Sequence, residues 1–166
     1  MLKKLIQDGY KQFFFDLDGT IWNCYDHLGF SIWCKQMISP FKYDKLNSEI
    51  VDDVNSYCVL QPNVEKVLQY LNEQDVEIGI CTSSKNMNFE YSIEQPCLQL
   101  LNAFDLKKYF NIFHIEYKTA DKSKILSKYE KCVLFDDRLN IINDCKKTNN
   151  ICPIYRFDFD DWKEIL

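Results

Sequence analysis

The chain is poor in the residues that interrupt a fold. It has 4 Gly and 4 Pro in 166 residues, which excludes long flexible linkers. No apolar run approaches the roughly 20 residues that a membrane-spanning helix needs. The opening run, residues 1–6, is too short and too soon polar for a secretory signal. Positive charge is not in excess: the net charge is −5, with acids and bases interspersed, which argues against nucleic acid as a partner. None of the 8 cysteines forms a C-x-x-C pair, so a zinc site built on such pairs has no support. Histidine is nearly absent. His27 and His114 sit in no cysteine-nucleophile signature, and both are read as structural. These absences describe a cytoplasmic chain whose cysteines are reduced and pack as small hydrophobes, with no membrane partner.

What is present is apolar and aromatic. Hydrophobic residues make up 46% and aromatics 15%, enough for one domain, residues 1–166, with a proper core. Its most informative stretch is Phe13-Phe14-Phe15-Asp16-Leu17-Asp18-Gly19-Thr20. Three consecutive aromatics read as a strand buried on both faces of a parallel sheet. The strand ends at two carboxylates one residue apart, followed by a glycine that permits a sharp turn. Asp16 and Asp18 therefore stand at the carboxyl end of a central strand, where open α/β sheets bind ligands. Two like charges on one side of a strand end repel unless a cation joins them. Magnesium, which takes one or two carboxylates and keeps waters for a phosphate, is the economical answer. Taken alone, Asp-x-Asp-Gly also fits an exposed turn; the apolar strand before it weakens that reading.

Farther along, residues 21–33 read as an irregular flap or hairpin. Trp22, Tyr25, Phe30 and Trp33 there suggest a small satellite core. Residues 45–54 have weak helical spacing, with Asp52-Asp53 on a solvated helix face. Residues 62–71 fit a helix, with Pro62 in its first turn and Val64, Val67, Leu68 and Leu71 on one side. A strand over 76–81 ends at Thr82-Ser83-Ser84. Such hydroxyls and amides hold a phosphate oxygen or cap a helix. A helical stretch over 86–106 is interrupted at Pro96, and a strand over 111–115 follows. Asp121 or Thr119 caps a short helix that carries Lys122 and Lys124. A strand over 131–135 delivers Asp136-Asp137. A helix over 139–147, a strand over 151–155 and a last helix near 161–166 complete the order. Alternating strands and helices imply a mostly parallel sheet with right-handed crossovers. Asp158 and Asp160 repeat the Asp-x-Asp spacing without Gly-Thr and are read as surface and capping acids.

In this order the segments resemble the haloacid dehalogenase (HAD) superfamily of phosphotransferases. Asp16-Leu17-Asp18-Gly19-Thr20 matches its Asp-x-Asp-x-Thr motif, and Thr82 its strand-terminal hydroxyl. Lys122, with Lys124 as rival, matches its lysine, and Asp136-Asp137 its acidic pair. The surroundings are most similar to the small capless magnesium-dependent phosphatases, although Gly19 replaces a bulky residue and Ser83 a basic one. The resemblance implies a Rossmann-like three-layer α/β sandwich, with a small flap or insert over residues 20–60 and no large cap. It implies a magnesium-dependent phosphomonoester hydrolase acting on a phosphorylated small molecule or macromolecule. Asp16 would form an aspartyl-phosphate, and Asp18 would act as acid and then base. Thr82, Ser83 and Lys122 would hold the phosphoryl group. Mg2+ would bind Asp16, the carbonyl of Asp18, and Asp136, Asp137 or both. Asp144 would orient the lysine or lie on a helix surface. A polynucleotide 3′-phosphatase would require a basic track. A non-catalytic module of the same fold would be expected to lack Asp16 or Asp18.

Overall fold

The computed structural model describes residues 1–44, 46–85, 94–116 and 121–166. A short helix α1 (Leu2–Gln7) precedes β1 (Gln12–Phe15). Then come β2 (Trp22–Tyr25), β3 (Ser31–Ile32), β4 (Lys42–Asp44), β5 (Glu49–Val51) and β6 (Tyr57–Leu60). The remainder is α2 (Val64–Asn72), β7 (Glu77–Thr82), α3 (Pro96–Ala103), β8 (Ile112–Ile115), α4 (Lys122–Leu126), β9 (Cys132–Asp136), α5 (Leu139–Cys145) and β10 (Ile151–Tyr155). Short 3-10 turns lie at Cys34–Gln36, Lys107–Tyr109, Arg156–Asp158 and Trp162–Ile165. The last of these replaces the terminal helix expected from sequence.

The central sheet has the order β10-β9-β1-β7-β8, and every pairing in it is parallel. It is the parallel α/β sheet that the alternating pattern implies, and it agrees with the Rossmann-like fold that the resemblance implies. The triple phenylalanine explains why β1 is central. Phe13 and Phe15 pack into the larger core on one face, and Phe14 into a second core on the other. Phe15 stacks on Phe135 of β9 with ring centroids 4.8 Å apart. Phe14 lies directly across from Gly79 of β7. A Cβ on Gly79 would come within 2.5 Å of the Phe14 ring, so the glycine makes room for the aromatic. Pro153, which cannot donate to a ladder, sits in edge strand β10 where that loss is tolerated.

Residues 22–60 differ in part from expectation. The hairpin, one of the two readings of residues 21–33, is present as β2 and β3, but the weak helical spacing over 45–54 gives no helix among the described residues. Residues 22–60 instead carry the short strands β2 to β6. They form a second sheet, all antiparallel, in the order β3-β2-β6-β5-β4. Short strands separated by turns hid a period of two within a segment that also fits weak helical spacing. The aromatics there do not form one satellite core. Trp22 is fully buried in the main core, whereas Phe30 and Trp33 are exposed. Asp52 is not on a solvated helix face. It is buried, and its carboxylate accepts from the backbone amides of Ile38, Val54 and Ser56 at 2.8–2.9 Å. It fixes the β5–β6 turn. We expect Asp52→Ala to lower stability by about 2–4 kcal/mol, because buried amides lose a charged acceptor; a shift of the urea midpoint checks this.

Helix α2 buries Val64, Val67, Leu68 and Leu71 as the spacing predicts. It starts later than Pro62, because Asn63 takes a left-handed conformation (φ 61°) and its side chain bonds Asp161. Pro96 opens α3; the helical stretch expected over 86–93 and the candidate cap Thr119 fall outside the described residues. Asp121 caps α4 through the Lys124 amide. His114 lies within β8 and bonds the Tyr129 hydroxyl at 2.8 Å, a structural role. All 8 cysteines are free thiols, 7 of them buried. Burial pushes the Cys81 and Cys97 thiols up to about 12, which removes them as nucleophiles. Among the described residues, no helix is long and apolar enough to cross a membrane.

Candidate active site

The carboxyl ends of β1 and β9, with the start of α4, converge on one cluster. Asp16 follows Phe15 directly, and its amide donates to the Phe135 carbonyl at 2.9 Å, which holds the two strand ends together. Asp136 ends β9. Carboxylate oxygens of Asp16, Asp136 and Asp137 lie within 4.8 Å of one another. The first amine of α4 enters the same space: Lys122 Nζ is 2.9 Å from Asp16 Oδ1 and 2.6 Å from Asp136 Oδ2. The Lys122 side chain is 2% exposed. Burial works against its charge, but Asp16 and Asp136 outweigh it and hold its pKa above the ordinary lysine value. Lys124 is exposed, and only its backbone amide takes part in the cap, donating to Asp121, so α4 brings Lys122 to the cluster and leaves its rival outside.

Asp136 is fully buried, and its other oxygen accepts from the Arg138 amide at 2.9 Å. Asp137 Oδ1 is buried and has no hydrogen-bond partner among the described residues. Burial, then Asp16 and Asp136, push the Asp137 carboxyl up to about 7. Such a carboxylate is suited to a cation. Gly19 shapes the same corner. It has φ 79°, and a Cβ there would lie 2.3 Å from Asp137 Oδ2. A bulkier residue at this position would displace Asp137.

The raised Asp137 carboxyl gives a stability prediction with a definite sign. The ordinary value is 3.8 and the folded value about 7, so the folded state holds a proton that the unfolded state has released. Stability contributed by this group therefore falls as pH rises from about 4 to about 7 in metal-free protein. Urea unfolding in chelator at pH 5 and pH 8 should show this fall in the natural chain and a smaller one in Asp137→Asn.

Asp18 belongs to a separate network. Its Oδ1 accepts from Trp22 Nε1 at 3.0 Å and the Cys34 amide at 2.9 Å. Its Oδ2 accepts from Ser84 Oγ at 2.9 Å. Ser84 Oγ is in turn 2.9 Å from Thr82 Oγ1. Burial raises the Asp18 pKa, with Asp16 adding to the rise and the three donors opposing it. Thr82, the strand-terminal hydroxyl, is thus beside both the acid loop and Ser84, and Ser83 is half-buried between them. From sequence, Trp22 is a satellite-core aromatic and Ser84 part of a hydroxyl run, neither a partner of Asp18, and Cys34 carries no signal. Ser84 carried a faint signal, standing two residues beyond Thr82 in the same hydroxyl run. The approach of Cys34 to Asp18 depends on the path of the second sheet.

The other acids stand apart. Asp144 is exposed and pairs with Lys147 at 2.7 Å, the helix-surface alternative. Asp158 and Asp160 are exposed, and Asp161 caps the last 3-10 turn, as the capping reading holds.

Among solved structures, the chain is similar to a Clostridium difficile protein provisionally described as a phosphatase. The identity is 17% and the TM-score 0.56, over 94% of this chain and 89% of that one. It is also similar to the fission yeast RNA polymerase II CTD phosphatase Fcp1 bound to beryllium fluoride. There the identity is 16% and the TM-score 0.53, over 94% of this chain and 44% of that one. At these identities the likeness is one of fold, and the chain spans under half of the yeast protein. No curated protein matches the chain. The model of the acid phosphatase family matches residues 10–156. That span runs from before β1 to the end of β10 and includes every acid of the cluster, so the chain belongs to the acid phosphatase family.

Proposed function

We propose that the protein is a magnesium-dependent phosphomonoester hydrolase that works through an aspartyl-phosphate on Asp16. The observation that carries this reading is the division of labour between the two carboxylates of one loop. Asp16 faces Lys122 and the acidic pair, while Asp18, two residues on, is held by neutral donors with its pKa raised. Two carboxyl groups whose surroundings differ in this way suit a nucleophile and a general acid.

Magnesium fits the donor set. Three hard carboxylate groups converge, and Asp137 brings a buried oxygen without a partner. Asp16, Asp136, Asp137 and the Asp18 carbonyl would hold the ion. When bound it supplies positive charge beside the phosphoryl oxygens. Lys122 offsets the charge of Asp16 and Asp136, so that an anionic nucleophile meets an anionic ester. Thr82, with the Ser83 amide, holds a phosphoryl oxygen. Asp18 gives its proton to the leaving oxygen and then takes one from the water that cleaves the acyl-phosphate. The substrate is a phosphomonoester on a small molecule or a macromolecule.

The test is phosphate release from p-nitrophenyl phosphate with magnesium and with chelator, coupled to borohydride trapping of the acyl-phosphate. Metal-dependent release, with the reduced residue mapping to position 16, is the expected result. Trapping at another residue, or release unaffected by chelator, would overturn it.

A further inference from the structure

The antiparallel insert reaches Asp18 Oδ1 through the Trp22 side chain, the Cys34 amide and, more weakly, the Cys24 thiol at 4.0 Å. Trp22, the first residue of β2, donates its indole N–H to Asp18 Oδ1. The Cys34 amide, at the start of a 3-10 turn, donates to the same oxygen. Ser84 takes the other oxygen from the β7 side. The Trp22 ring is fully buried and stacks on Phe104 at 6.1 Å, so its N–H has no freedom to turn away. Its backbone is tied to the same loop, since the Gly19 amide donates to the Trp22 carbonyl at 2.8 Å.

These contacts fix one rotamer of one carboxylate. Free rotation of Asp18 about its side-chain bonds would spread its oxygens over several staggered positions. A general acid contributes only where its oxygen lies within hydrogen-bond reach of the leaving group. With Oδ1 gripped by the insert and Oδ2 bonded to Ser84, the direction of proton delivery is set by the protein.

We infer that Trp22 and Ser84 are positioning residues for Asp18, and that the insert sheet acts in the reaction by orienting this acid through Trp22. The inference rests on the roles proposed above for Asp16 and Asp18. Ser84 adds a second consequence. If it donates to Asp18, it accepts from Thr82, so in this arrangement the one Thr82 proton is committed to Ser84, and Thr82 donates to a phosphoryl oxygen only by turning its hydroxyl away from Ser84.

Orientation of an acid can be told from general support of the fold by the leaving group. p-Nitrophenolate departs with little need of a proton, whereas an alkoxide needs one. The experiment compares kcat/KM for p-nitrophenyl phosphate and for an alkyl phosphate such as glycerol phosphate, in the natural chain, Trp22→Phe, Ser84→Ala and Asp18→Asn. Trp22→Phe keeps a stacking ring but removes the N–H together with the five-membered ring that carries it, at a fully buried position. Ser84→Ala removes one small hydroxyl, and it decides the matter should Trp22→Phe fail to fold. The expected result is a loss at least about tenfold greater on the alkyl phosphate than on the aryl phosphate, carried in kcat with little change in KM. It should follow the selectivity of Asp18→Asn at smaller size. Equal losses on both substrates, or none, would overturn the inference while Asp18→Asn still discriminated. A natural-like rate in Asp16→Asn would instead overturn the reading on which it rests.

Discussion

Asp16→Asn will reduce magnesium-dependent phosphate release by about 10⁴-fold or more, the scale seen when an enzyme loses its covalent nucleophile. The change is nearly isosteric and removes one negative charge. Asp16 is 7% exposed and bonded to Lys122, so the amide will keep the loop in place while losing the carboxylate proposed to attack phosphorus. The fold should survive, because β1 ends before this residue and the Asp16 backbone amide still reaches Phe135. The check is single-turnover release from p-nitrophenyl phosphate beside a thermal melt. A folded variant with less than about 10-fold loss would remove Asp16 as nucleophile.

Lys122→Met has a double effect, because one ammonium serves two buried acids. It lies 2.9 Å from Asp16 and 2.6 Å from Asp136. Asp136 is fully buried and pairs with Lys122 among the described residues, and removing the ion-pair partner of a buried carboxylate typically costs about 3–5 kcal/mol. Magnesium should recover part of this loss, since a divalent cation can answer the same charges. Catalysis should not recover. Loss of a fixed positive group beside the reacting centre costs about 10²–10³ in kcat, and a methionine cannot replace it. The measurement is urea unfolding of both chains with chelator and with magnesium, alongside kcat. A variant as stable as the natural chain in chelator would mean that Lys122 does not neutralise the pair. Unchanged kcat would remove it from the reaction.

Much of the fold and the cluster was legible because its signals are local. The Phe13–Phe15 run fills both faces of a sheet, and only a central parallel strand needs that. Val64, Val67, Leu68 and Leu71 repeat at helical spacing, and they are buried as that spacing requires. Asp16, Thr82, Lys122 and Asp136 are each the first polar residue after an apolar strand or at a helix start, so alternation of elements alone places them at one edge of the sheet. The insert was not legible for the opposite reason. Its strands are 2–4 residues long, too few for period-two alternation to stand out. Asp52 looked like a surface acid because its three amide partners lie up to 14 residues away.

What the sequence alone determined is the order of the elements, the central position of β1 and the acids at its end, since these follow from burial and periodicity along the chain. Three matters were decided only by tertiary structure. The first is that Lys122, not Lys124, meets the acids: on a helix of five residues, a two-residue step turns the side chain to the other face. The second is that the Asp137 carboxylate packs against Gly19 through Oδ2 while its Oδ1 has no hydrogen-bond partner among the described residues, which depends on the close approach of two loops. The third is that Asp18 is held by Trp22, Cys34 and Ser84. A hydrogen bond between residues 16 or 66 positions apart leaves no periodic mark in a sequence, because its energy depends on a distance that only the folded chain sets.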